Sequence, residues 1–199
     1  MNAAKIQLSE DELQLVSNAN FILTKNRIIQ KVYGLFGALA SDYRDSPFSN
    51  VPSQVTGIAP KISRGEQYGG LPYVILDYPR YFTKENIFAI RTMFWWGNHF
   101  SITLHLKGSF KSQLEDKIIE CDRFSDREKW HIQLSGDEWQ HHPTADSHGL
   151  LADFRSKEAR EKIKKSGFLK ISYYIPIQEW NNIGRELQEK FDSLNKAVG

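Results

Sequence analysis

Six side chains carry the chemistry most legible in this chain: Tyr73, Asp77, Arg80, Arg91, Trp95 and His105. An arginine presents a planar fork of donors that fits a carboxylate or phosphate, while tryptophan and tyrosine offer flat apolar contact. A histidine titrates near neutrality, so its presence would make affinity for an anion depend on pH. Together these types suit a small anionic or aromatic ligand, with Arg91 and Arg80 attracting the anion and Trp95 and Tyr73 lying against it. The opposing reading is the ordinary polar face of an antiparallel sheet, with Arg91 simply paired to Asp77. Arg64, Tyr68, Tyr81 and Lys84 flank the same stretch, and Asp77-Tyr78-Pro79-Arg80 reads as a rigid strand exit or an exposed turn.

A second cluster, Trp139 to His148, holds three of the six histidines beside an acid. His141, Asp146 and His148 are ligand types for zinc, iron, nickel or manganese. The neighbours His141 and His142 would point apart on an extended backbone, and no helical His-x-x-x-His pair is present. A polar loop is the reading preferred here. Nucleophilic catalysis has no Gly-x-Ser-x-Gly elbow, and Cys121 falls on an apolar helical stripe where a thiol acts as a small hydrophobe. His105 with Asp77 could form a base and its orienter only if the fold brings them together. Gly65 to Gly70 precedes a strand instead of joining a strand to a helix, so it reads as a turning loop and not a phosphate cradle.

The elements that must position these groups are mostly strands. Tyr73–Tyr78, Phe88–Trp96, Phe100–Leu106, Trp130–Leu134 and Leu169–Ile175 are rich in aromatic and branched residues or alternate apolar with polar. With Gly97-Asn98-His99 as a three-residue turn and Trp96 opposite Phe100, Phe94 meets Ile102, Thr92 meets Leu104 and Ile90 meets Leu106, all on one side. Arg91 then stands across from His105 and Trp95 across from Ser101. A two-residue turn would mix the faces. Trp95 and Trp96 are thereby expected on opposite sides of the sheet.

Around the strands, Ser9 and Glu12 form a capping box, a second helix is expected to start at Thr24 and stop near Asp45-Ser46-Pro47, and Phe110 to Cys121 repeats at helical spacing. Ser156 caps a short helix that Gly167 ends, and Trp180, Ile183, Leu187, Phe191 and Leu194 stripe a final one. The result is an α+β single domain over 1–199, with N-terminal helices at 9–45, central strands at 61–106, a helix at 109–122, and a C-terminal strand and helix at 168–197. Its mostly antiparallel sheet has about five strands, and helices cover mainly one face. The sequence leaves open whether residues 46–70 roof the other face.

With 199 residues and a formal charge of +2, the chain lacks the basic balance of a dedicated nucleic-acid binder. One cysteine rules out an internal disulfide, and no apolar leader or span is visible, so a cytoplasmic setting away from membranes is expected. The first functional expectation is binding of a small anionic or aromatic ligand on the polar sheet face, without catalysis or a cofactor. The second is a homodimer or protein-interaction surface built on exposed aromatics. The third is a metal-dependent hydrolase built on the 139–148 loop.

Overall fold

The computed structural model describes residues 6–122, 124, 126–144 and 146–199. The capping box forms as expected: Ser9 N–H donates to Glu12 at 2.7 Å, and Glu12 N–H donates to Ser9 Oγ at 3.2 Å, opening α1 (Glu10–Ser17). The next helix, α2 (Ala19–Asp45), begins five residues before Thr24. Asn18 supplies the cap, its side chain accepting from Phe21 N–H at 3.3 Å, and Thr24 lies inside the helix accepting from Arg27. A single turn, α3 (Ser53–Thr56), interrupts the proline-rich link that follows.

Seven strands form one sheet, against the expected five or so: β1 (Lys61–Tyr68), β2 (Leu71–Phe82), β3 (Ile87–Trp95), β4 (His99–Lys107), β5 (Trp130–Gln133), β6 (His148–Leu150) and β7 (Phe168–Pro176). Their order is β1-β2-β3-β4-β7-β5-β6, every pairing antiparallel. The additional strands are β1 and β6. Gly65 to Tyr68 thus belong to a strand, with Gly69 and Gly70 turning at φ 59° and 77°. Between β4 and β5 runs α4 (Ser109–Glu120), before β7 comes α5 (Lys157–Lys165), and α6 (Ile183–Val198) closes the chain after a 3-10 turn that carries Trp180.

The β3–β4 register differs from expectation by two residues. Trp95 pairs with His99, leaving Trp96-Gly97-Asn98 as the turn, with Gly97 at φ 72°. Arg91 therefore faces Thr103, Ala89 faces His105, and Trp95 faces His99 rather than Ser101. The loop length is still three, so parity is unchanged: the left-handed position demanded by the turn falls on the only glycine there, and pairing follows from it. Phe88, Ile90, Phe94, Phe100, Ile102, Leu104 and Leu106 all enter the core with Val32, Phe36 and Leu39 of α2 and Leu187, Phe191 and Leu194 of α6. Tyr43 stacks on Phe191 at 3.7 Å and sets its hydroxyl 3.2 Å from Thr92 Oγ1, satisfying a polar group on the buried face.

The proline-rich link does not roof the opposite face. Phe48 packs edge-on against Tyr78 and Phe191, and Val55 is fully buried, both in the helical core. Among the described residues no helix is long and apolar enough to cross a membrane.

Candidate functional site

Residues directly opposite in antiparallel strands share a face, so the ladder aligns the polar side chains in rows. One row reads Asp77, Arg91, Thr103, Ser172 and His131 from β2 to β5; the next reads Ala89, His105, Lys170, Gln133 and His148 from β3 to β6. The third, nearer the β3–β4 turn, is Tyr73, Trp95 and His99. Residues 134–144 lead from β5 back over this surface, so that His141 and His142 lie on top of Arg91 and Trp95. The two clusters that stand apart in the sequence are one site, and all six histidines of the chain belong to it.

Arg91 grips Asp77 with two bonds, Nε to Oδ1 at 2.7 Å and an Nη to Oδ2 at 2.8 Å. Its remaining Nη lies 3.2 Å from His141 Nε2. Arginine has only donors, so this imidazole nitrogen accepts and His141 is neutral with its proton on Nδ1. Burial, then Arg91 and Lys170, hold His141 down to about 2. His105 is likewise pushed to about 3 by burial and by Lys170, Arg91 and Lys107. Its Nε2 lies 3.2 Å from Glu138 Oε2, an acceptor, so the neutral ring keeps its proton there. His148 accepts from Thr144 N–H through Nδ1 and is lowered to about 4, chiefly by burial. Burial also lowers His99 and His131, whose rings pack edge-on to Tyr174.

The overlying loop is tied at three points. Tyr68 Oη accepts from His141 N–H at 2.5 Å and lies 2.7 Å from His142 Nδ1. Lys170 donates to the Gln140 carbonyl, and burial with the Arg91 charge lowers its ammonium to about 8. Glu138 reaches Lys107 at 2.8 Å with one oxygen and His105 with the other. Beneath it remains a void of about 10 Å³, room for one water-sized sphere, lined by Phe82, Thr103, His105, Glu138, His141 and Lys170 among others.

Of the six residues singled out in the sequence, Asp77, Arg91 and His105 meet in this cluster. Trp95 lies beside it, half-buried, donating through Nε1 to the Tyr68 carbonyl at 3.0 Å. Tyr73 folds its ring across Gly65, where any Cβ would sit 2.5 Å from it. Arg80 leaves the cluster: after the register shift at Tyr78 and Pro79 its Nε bonds the Ala59 carbonyl at 2.7 Å. Asp146 lines a neighbouring cleft, which it shares with His148, Lys162 and Lys165. Among the described residues no group of three or more His, Cys, Asp or Glu is placed to hold a metal ion.

The residues that sequence reasoning missed are Glu138, Lys107 and Lys170. Lys170 left a trace, as the polar member of an alternating strand; Glu138 left none, because its place depends on where the loop after β5 lands. Compared with known proteins, the chain matches no family model, no curated protein and no solved structure. The chemistry of the site therefore rests on its own geometry.

Proposed function

We propose that the loop-covered face binds a small anion, a carboxylate or phosphate with or without an aromatic ring, and that residues 134–144 are its lid. The observation that supports this reading is Glu138. Its carboxylate comes from the lid, stands on Lys107 and His105 beside Arg91 and Lys170, and fills an anion subsite in the closed form. Cations and donors converging on one carboxylate can accept another of the same shape once the lid lifts. Trp95, Tyr68 and His142 would supply flat contact at the edge.

Removing the internal competitor is the direct test. Glu138→Ala should bind benzoate or inorganic phosphate more tightly than the unaltered chain in isothermal titration, and adding Lys107→Met should cancel the gain. A folded Glu138→Ala that takes up neither anion would falsify the reading. Arg91→Ala is a poor probe by comparison, since it strands Asp77.

A further inference from the structure

On the other side of the sheet the chain carries both halves of an unmade interface. Eight of the eleven exposed large apolar side chains among the described residues fall between Ile6 and Leu23, including Leu13 and Val16 on α1 and Phe21, Ile22 and Leu23 on α2. No residue of α1 is buried. An eight-residue helix is marginal in water without a surface to pack on, even with its capping box. The first turn also holds Glu10, Asp11 and Glu12, and neither Glu10 nor Asp11 has an ion-pair partner among the described residues.

The complementary surface begins where that apolar tract ends. Ile28, Phe94, Trp96, Ile177 and Trp180 line an open cleft of about 420 Å³. Its one charged lining residue, Lys31, has no ion-pair partner among the described residues. An apolar helix with an acidic start thus sits on the same molecule as an apolar cleft with a basic rim, and the helix does not occupy it.

We infer that a second copy of this chain is the occupant: α1 of each protomer seats on the Trp96–Trp180 cleft of the other, with its acidic first turn toward Lys31. Reciprocal exchange buries both apolar surfaces at once and closes under two-fold symmetry, so it yields a dimer and not a filament. An exposed tract of this kind on a lone monomer would be an aggregation liability. The interface lies on the opposite sheet face from the anion site and stands independently of it.

Sedimentation velocity over a concentration series, on the full chain, tests this. The unaltered protein should show a monomer–dimer equilibrium, and Leu13→Asp with Val16→Asp should weaken it by about tenfold or more. Because no residue of α1 is buried within its own protomer, the variants should keep their unfolding midpoint as monomers. Lys31→Glu should weaken the dimer, and Asp11→Lys in the same chain should restore it, a rescue that a general loss of hydrophobicity would not give. A chain that stays monomeric up to about 1 mM, including one that instead floats with phosphatidylcholine vesicles, overturns the inference. So does a dimer indifferent to both sets of variants.

Discussion

Arg91 and Asp77 face each other across adjacent strands with side chains 18% and 10% exposed, so each replaces the water the other has lost. Breaking such a pair from one side leaves a buried charge uncompensated, a cost of about 3 kcal/mol. Arg91→Ala should therefore lower the urea midpoint strongly, while Arg91→Met with Asp77→Leu should recover most of the loss. A pH dependence follows from the imidazoles. His105 and His141 are held near 3 and 2 in the fold, below the 6.5 of an unfolded histidine. Between these values the unfolded chain binds protons that the folded one refuses. Stability is then complete above pH 6.5 and falls as the pH drops through it, by up to about 1.4 kcal/mol per pH unit for each ring. Urea unfolding at pH 7.5 and 5.5 should show this, and His141→Gln, which keeps an acceptor for Arg91, should flatten the slope. At this scale parity was legible. Arg91, Trp95 and His105 share a face because the turn has three residues; the two-residue register error moved their neighbours without moving their side. The Arg91–Asp77 pair was visible as the plainer alternative, and it is the contact that forms.

The lid is where local reasoning fails. Its residues have no period and no burial pattern, and they are placed by partners far away in sequence: Tyr68 on β1, Lys107 on β4 and Lys170 on β7. β1 was missed for a related reason, since it is an edge strand whose polar, glycine-bearing run resembles a loop. β6 has only three residues, too few to show alternation. The strands between them were legible because both rims of their pattern are set by burial, which the chain's own alternation records. Tyr68→Phe removes one hydroxyl that receives His141 N–H and faces His142. Amide exchange across residues 138–142 should quicken by about tenfold, equivalent to about 1.4 kcal/mol of local opening, while exchange in β3 and β4 stays unchanged. Equal acceleration in both places would mean that the loop is not a separate unit.

As a whole the molecule is a sheet with two unlike sides. One is joined to helices by apolar packing; the other is a polar surface closed by the chain's own loop. The α+β class and the helices on one face could be read from periodicity alone, since each element shows its core stripe. The closing of the polar side could not, because nothing in a loop's composition says which surface it will cover. Removing residues 1–17 should leave the unfolding midpoint of the monomer unchanged in a thermal melt, since α1 buries no residue in its own protomer. The gathering of the imidazoles on a single side has a further consequence. His105, His141 and His148 are held near 3, 2 and 4, so mild acidification adds no charge to these rings while the fold persists. Their protons are taken up only when that face comes apart. Unfolding near pH 5.5 should therefore consume about one proton for each of the three rings, and a chain carrying His141→Gln should consume about one fewer in a proton-uptake titration.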